Sequence, residues 1–314
     1  MEVAAGPSDQ HDHQFIRGDA LKALDRVADK SCRLIITSPP YNVGKEYERK
    51  TRRTIEEYSD WLEPIVEKIC AKVTDDGHVC WQVGNYVRNG AIYPLDFLLF
   101  DLMSRRGFKL RNRIIWHFNF GLNETKRFSG RYETLLWFTK SEAYFFQLDP
   151  VRVPQLYPGK RHSEKKGARA GLPSGNPKGK NPSDFWIFDP EDAFRVRPIW
   201  RLPNVKAAHP EKTIHPCQFP SELVERCVLA MTEPGDWVLD PFAGVGTTVV
   251  AAAKHGRRGI GIEKSQRYLS LARKRLAGLR DGKTVTRLFG LPLRLPKLHE
   301  RVSRIPVEWK TAAE

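Results

Sequence analysis

Residues 237–263 restrict the fold more than any other part of the chain. Trp237-Val238-Leu239 is a short apolar run, Asp240-Pro241-Phe242-Ala243-Gly244-Val245-Gly246 is a glycine-bearing turn, and Thr247 to His255 is a run of small residues suited to a helix. Gly259-Ile260-Gly261-Ile262 is a second apolar run, closed by Glu263. Strand, tight turn, helix and strand in that order predict a parallel unit, because parallel strands need a crossover that carries the chain back. An α/β protein with helices on both faces of an open sheet is therefore expected. Such sheets bind ligands beyond the carboxyl ends of their strands.

The turn also narrows the ligand. Gly244 and Gly246 let the backbone pass close to a bound molecule, and Glu263 lies about 20 residues on, where an acid accepts hydrogen bonds from ribose hydroxyls. The third glycine of a dinucleotide fingerprint is replaced by Val249. Asp240 at the start of the turn would repel a pyrophosphate but suits the ammonium of a methionine moiety. These features favour S-adenosylmethionine over a dinucleotide. Asp240, Pro241, Phe242, Gly244, Gly246, Thr247, Thr248 and Glu263 are the expected contacts.

A second stretch, Thr37-Ser38-Pro39-Pro40-Tyr41-Asn42, follows the apolar run Arg33-Leu34-Ile35-Ile36. The run reads as a buried parallel strand, and two prolines must end it. The Ser38 hydroxyl and Pro39 carbonyl could accept hydrogen bonds from an exocyclic amino group while Tyr41 stacks on a base. Taken alone, these residues are equally compatible with a turn that merely packs.

Between the two stretches the pattern is mixed. Residues 1–14 read as a polar tail, Phe15 to Ala20 as a short strand ending in an acid, and Leu21 to Lys30 as a helix. Val43 to Arg53 is polar and basic and reads as a flap carrying Lys45, Arg52 and Arg53. Helices are expected at Ile55–Val73, Leu95–Arg106, Ser221–Met231 and Gln266–Arg280, and a strand at Gly77–Val83. Ile114–Phe118 and Thr134–Phe138 read as a hairpin whose connection holds Lys126, Arg127 and Arg131. From Val151 to Pro182 periodicity disappears and basic residues dominate, among them Lys160, Arg161, Lys165, Lys166, Arg169, Lys178 and Lys180. The apolar patch Phe185–Phe188 is expected to pack this insertion onto the body.

The net charge of +15 makes a polyanion, most simply nucleic acid, the expected partner, and the basic residues just named its contacts. Five scattered cysteines without a Cys-x-x-Cys pair predict a reducing compartment and no zinc site. No apolar run is long enough to span a bilayer and the first residues do not form a signal peptide, so a cytoplasmic protein is expected.

Ser38-Pro39-Pro40-Tyr41 resembles the (Asp/Asn/Ser)-Pro-Pro-(Tyr/Phe/Trp) signature of DNA amino-methyltransferases, which methylate adenine N6 or cytosine N4. Asp240 to Thr248 resembles their Asp-Pro-Phe-x-Gly-x-Gly-Thr-Thr cofactor motif. Gly18-Asp19-Ala20 resembles the segment bordering the cofactor adenine, and Lys212 to Pro220 the loop against the methionine end. Arg131 to Lys140 resembles the hairpin strand beside the base pocket. Catalytic loop first, basic insertion second and cofactor loop last is the order of the β class. The resemblance implies a Rossmann-like class I methyltransferase fold with a circularly permuted, mixed seven-stranded sheet. The implied parts are a catalytic half (15–144), a target-recognition insertion (145–210), a cofactor half (211–280) and a basic extension (281–314). It implies S-adenosylmethionine, double-stranded DNA and a homodimer. It also implies catalytic roles for Ser38, Pro39, Pro40 and Tyr41, and cofactor contacts from Asp19, Ala20, Ser38, His215, Gln218, Phe219 and Ser221 besides the turn.

Pro216-Cys217-Gln218 reproduces the Pro-Cys-Gln of cytosine-C5 enzymes, but there the cysteine follows the cofactor loop, whereas here it precedes Asp240; Cys217 is expected to be structural. Ser38 is commoner in cytosine-N4 enzymes, while Asn42-Val43-Gly44-Lys45 resembles the adenine-type continuation; adenine N6 is the first expectation and cytosine N4 the alternative. An RNA or protein-amide methyltransferase and a catalytically silent DNA-binding regulator are the rival classes.

Overall fold

The computed structural model of the chain describes residues 13–42, 53–118, 123–153, 161–162, 168–172, 175–186, 205, 211–215, 218–284 and 286. Along the chain come β1 (His13–Arg17), α1 (Ala20–Ala23), β2 (Cys32–Thr37), α2 (Ile55–Lys72) and β3 (Val73–Val83). Then follow β4 (Asn85–Arg88), β5 (Ala91–Pro94), α3 (Leu95–Ser104), β6 (Lys109–His117), β7 (Tyr132–Thr139) and β8 (Phe185–Trp186). The last elements are α4 (Ser221–Met231), β9 (Trp237–Asp240), α5 (Thr247–Lys254), β10 (Arg258–Glu263) and α6 (Gln266–Arg280).

One mixed sheet runs β1-β10-β9-β2-β3-β7-β6-β8. Neighbours from β1 to β3 are parallel, whereas β7 is antiparallel to both β3 and β6. The seven expected strands are present, and Phe185–Trp186 adds an eighth by pairing parallel to β6. Phe185 and Trp186 of the expected apolar patch form this strand; Ile187 and Phe188 lie outside the described residues.

The position of β2 decides where the site lies. It sits between β3 and β9, with Leu34 opposite Val238 and Ile35 opposite Leu239. Two segments some two hundred residues apart thus become adjacent central strands, and both end at the same edge of the sheet. β2 is buried on both faces. Ile35 joins a core with α1, α2 and α3, while Leu34 and Ile36 join one with α4. That two-sided burial is why its sequence is continuously apolar rather than alternating.

α2 fastens the clamp side. Thr54 and Glu57 form a reciprocal capping box at its start. Tyr58, Leu62, Ile65, Val66 and Ile69 recur at helical spacing and are buried against the sheet. Each such side chain contributes about 2 kcal/mol of burial.

Several expectations change. β1 begins at His13, so residues 13 and 14 belong to the sheet and not to a tail; the His13 ring accepts a hydrogen bond from the Gly259 N–H (3.1 Å). The helix expected over Leu21–Lys30 is one turn of α-helix and one of 3-10 helix, ending at Arg26, because Val27 is extended and Lys30 is left-handed (φ 49°). Asn89 and Gly90 both have positive φ and turn a β4–β5 hairpin that the sequence reading passed over. The expected tail 1–12, the flap with Lys45 and Arg52, the insertion residues Lys160, Lys165 and Lys166, Pro216-Cys217 and most of 281–314 lie outside the described residues.

Candidate active site

The edge shared by β2 and β9 opens into a cavity of about 340 Å³. Ser38, Pro39, Pro40 and Tyr41 line one side, and Pro241, Phe242, Gly244 and Thr247 line another. The two loops are tied underneath: Thr37 Oγ1 donates to Asp240 Oδ1 at 2.7 Å. The remaining walls are Asp19 and Ala20 after β1, His215, Gln218 and Phe219 before α4, and Glu263 at the end of β10. Fourteen of the expected catalytic and cofactor residues thus face one space.

Four do not line it. Asp240, expected at the methionine ammonium, is 1% exposed and uses both oxygens internally. Thr37 and the Phe242 N–H (3.0 Å) donate to one oxygen, and Thr248 (2.6 Å) to the other. Burial raises its pKa, against these three donors. The geometry makes Asp240 a brace between strand ends that does not itself line the cavity. Thr248 is fully buried in the same brace. Ser221 is also fully buried; its N–H and hydroxyl donate to the Glu211 carboxylate (3.0 and 2.5 Å) beneath the loop that carries His215. Gly246 serves the turn: its φ is 75°, and a Cβ there would lie 2.8 Å from Ala272 Cβ of α6. Gly244 is the glycine at the cavity, left-handed (φ 52°), with His215 Nε2 3.3 Å from where a Cβ would be.

Glu263 accepts from the Gly244 N–H (3.0 Å) and the Ser265 N–H (2.6 Å), one on each carboxylate oxygen. Burial raises its pKa above the ordinary carboxylate value, opposed by those bonds. The carboxylate has more acceptor sites than these bonds use and can still accept from a ligand hydroxyl. Trp61, Phe242 and Tyr268 supply aromatic walls; Trp61 packs on Phe242 (5.8 Å between centroids) and Tyr268 meets His215 edge-on (4.7 Å). An acid at a strand end, a close backbone turn and flat apolar walls fit an adenosyl group carrying a charged side chain.

The clamp has its own wiring. Gln82 donates its amide N–H to Glu133. An ionised carboxylate only accepts, so the Gln82 oxygen must face Tyr41, whose hydroxyl donates to it at 2.7 Å. That spends the single Tyr41 proton. Ser38, whose Oγ is 2.8 Å from the Tyr41 oxygen, must therefore be the donor of that bond. Toward the cavity the Ser38 oxygen can then only accept. Gly84 lies against the Tyr41 ring, 3.4 Å from a hypothetical Cβ. Tyr58 donates to the Pro40 carbonyl at 2.8 Å. Asn42, left-handed at φ 60° and buried, pairs reciprocally with the Arg53 backbone (2.6 and 2.9 Å).

Gln82, Glu133, Asn42, Tyr58, Trp61 and Tyr268 escaped the reading of the sequence. The available signals were polar groups in apolar strands: Gln82 in Val79–Val83 and Glu133 in Tyr132–Thr139. Among the expected basic contacts, Arg53 lines the cavity with its guanidinium 4.7 Å over the Trp61 ring. Arg127 pairs with Glu124 (2.7 Å), Arg131 donates to Asn123 (2.7 Å) and Lys178 pairs with Asp149. Lys126, Arg161, Arg169 and Lys180 are exposed. Among the described residues no helix is long and apolar enough to cross a membrane, and no group of His, Cys, Asp or Glu could hold a metal ion.

A family profile described as DNA methylase, covering the N6 and N4 enzymes, matches residues 32–274. The chain belongs to the DNA methylase family of N6/N4 amino-methyltransferases. The matched span runs from the start of β2 into α6 and contains both loops of the cavity. The type II methyltransferase M.BglII of Bacillus subtilis is 43% identical over 87% of this chain and 71% of its own length. The DNA adenine methyltransferase YhdJ of Escherichia coli is 31% identical over 83% and 82%. Among solved structures, TTHA0409 of Thermus thermophilus in complex with S-adenosyl-L-methionine is 28% identical with a TM-score of 0.55, covering 86% of this chain and 97% of that one. The cytosine-N4-specific PvuII DNA methyltransferase shares the fold at a TM-score of 0.61 and 18% identity, over 90% and 96%. This methylase is an S-adenosylmethionine-dependent enzyme with the class I methyltransferase fold, acting on DNA at an adenine N6 or cytosine N4 amino group.

Proposed function

We propose that this methylase flips a target base out of duplex DNA and methylates its exocyclic amino group in the cavity between the Ser38–Tyr41 clamp and the Pro241–Thr247 turn. The observation that carries this reading is the ordered hydrogen-bond chain from Ser38 through Tyr41 and Gln82 to Glu133. It leaves the Ser38 oxygen able to accept, which suits an amino group and not a ring nitrogen that itself accepts.

When bound, S-adenosylmethionine supplies an electrophilic methyl group. Glu263 would hold its ribose hydroxyls, Asp19 and Ala20 would border its adenine, and Gly244 with His215 would flank its methionine end. Tyr41 stacks on the flipped base. Ser38 and the Pro39 carbonyl accept the two amino protons and turn the nitrogen lone pair out of ring conjugation. As the carbon–nitrogen bond forms, the carbon–sulfur bond breaks, with sulfur leaving as a neutral thioether. The Ser38-Tyr41-Gln82-Glu133 chain presents a carboxylate at its far end and stabilises the charge on nitrogen without reorganisation. The methylated nitrogen then gives up one of its protons to water at the cavity mouth. Most of the acceleration comes from positioning and preset electrostatics.

Adenine N6 is the first reading, supported by the Asn42-Val43-Gly44-Lys45 continuation and by likeness to an adenine methyltransferase. Cytosine N4 is the second, favoured by serine at position 38. Mass spectrometry of nucleosides from DNA treated with enzyme and methyl-labelled cofactor tests both. Label in N6-methyladenine or N4-methylcytosine selects between them; label in a ring-carbon methyl refutes the clamp mechanism. The basic residues of the flap, the β6–β7 connection and the insertion are assigned to phosphate contact, so affinity should fall steeply with salt; a flat response refutes that assignment. The proposal includes a cytoplasmic homodimer. Exposed Ile92, Tyr93, Phe97 and Phe100 on β5 and α3 support self-association, and sedimentation of a monomer at all concentrations would contradict it.

A further inference from the structure

Phe128 is 99% exposed, more than any other large apolar side chain among the described residues. Among the described residues nothing covers its ring, yet the described part of the connection that carries it is built. Phe118 donates its N–H to the Arg131 carbonyl (2.8 Å) at the base of the loop. Ser129 accepts from the Glu124 N–H (3.0 Å), Arg127 pairs with Glu124 (2.7 Å), and Arg131 donates to Asn123 (2.7 Å). These bonds turn the described part of the loop on itself and leave the Phe128 ring projecting beside Lys126, Arg127 and Arg131.

Its location matters as much as its exposure. The loop joins the end of β6 to the start of β7, and two residues past Arg131 stands Glu133, which ends the hydrogen-bond chain of the clamp. Because β7 is antiparallel to β3, its beginning lies at the sheet edge where β2 and β3 end. The projecting ring and the base cavity therefore share one face of the molecule. A flat apolar group amid cations, beside a pocket for an extruded base, matches a base stack from which one nucleotide has been removed.

We propose that Phe128 is the wedge that enters the duplex and stacks in the gap left by the target nucleotide, with Lys126, Arg127 and Arg131 on the flanking phosphates. The inference rests on the base-flipping reading above and adds the group that holds the gap open. Apolar side chains that enter a base step unstack it, and aromatic–base stacking tolerates any sequence.

The test uses the full-length enzyme and duplexes containing its mapped methylation site, with the target base either paired or mismatched. Phe128→Ala should lower kcat/KM on the paired duplex roughly tenfold or more. Most of that loss should be recovered on the mismatched duplex, whose base leaves the stack at little cost. Phe128→Trp, which keeps a stacking plate, should restore activity on the paired duplex. Unchanged cofactor affinity by calorimetry shows that Phe128→Ala is folded. Equal loss on both duplexes, no loss on the paired one, or a loss traced to failed self-association overturns the wedge. If the wild-type enzyme transfers no methyl to any DNA, the reading of function fails instead.

Discussion

Tyr41→Phe isolates the hydrogen-bond chain from the stacking plate. The variant keeps the ring that packs on Gly84 but removes the oxygen that links Ser38 (2.8 Å) to Gln82 (2.7 Å). The Gln82 carbonyl oxygen loses its donor, and the Ser38 hydroxyl is freed to donate toward the cavity, where the mechanism needs it to accept. A part-buried group deprived of its partner costs about 1–3 kcal/mol. Felt in the transition state, that is roughly a tenfold to hundredfold slower methyl transfer. Single-turnover transfer at saturating labelled cofactor, measured against DNA concentration, separates the terms. The maximal rate should fall while the DNA concentration at half-maximum stays near wild type. Tyr41→Ala should in addition weaken base capture, since base–aromatic stacking contributes about 1–3 kcal/mol. Glu133→Gln interrupts the same chain at its other end, and its effect should combine with Tyr41→Phe less than additively. Wild-type turnover of Tyr41→Phe, or cofactor affinity lost in step with turnover in Tyr41→Ala, would refute the reasoning.

Two further variants test the frame. Gly246→Ala pays about 1–2 kcal/mol for left-handed backbone and about 1–3 kcal/mol for a methyl pressed on Ala272 and Phe15. Gly256→Ala, at φ 73° with no atom within 4 Å of its Cβ, bears the backbone cost alone; in thermal denaturation it should lose distinctly less than Gly246→Ala, and equal losses would show that Gly246 is not a packing glycine. His78 is buried, and burial lowers its pKa from the ordinary 6.5 to about 4. The unfolded chain binds a proton there that the folded chain refuses, so stability is full above about pH 6.5 and is lost as the pH falls toward about 4, by about 3 kcal/mol. Urea unfolding across that range should show a slope that His78→Asn, which keeps an acceptor for the Trp137 indole, removes; an unaltered slope assigns the acid sensitivity elsewhere.

How much could be seen in the sequence depended on whether a signal was local. Val238-Leu239 and Leu34-Ile35-Ile36 are buried on both faces, so their apolar runs announced central parallel strands. The prolines after β2 and the glycines after β9 marked where those strands stop, and one sheet edge brought the two loops together. The brace at Asp240 was hidden for a physical reason: spacing located the acid, but only the adjacency of β2 and β9 shows that Thr37 donates to it. The link from Gln82 to Glu133 was equally hidden, since alternation along a strand gives the face of a side chain and not its partner across the ladder. The short α1 failed the opposite test: Leu21–Lys30 has helical composition, yet the chain must turn at Lys30 to enter β2. The Asn89-Gly90 hairpin signal stood in the sequence and went unread.

The central claim is that the cofactor methyl faces the clamp across one cavity. Irradiating the enzyme with S-adenosylmethionine tritiated in its methyl group, then mapping tryptic peptides, tests it directly. Cleavage after Arg33 and Lys45 releases residues 34–45, which hold the whole clamp. Label concentrated in that peptide, and displaced by unlabelled cofactor, is the expected result. Displaceable label found only in peptides remote from the cavity would contradict the account.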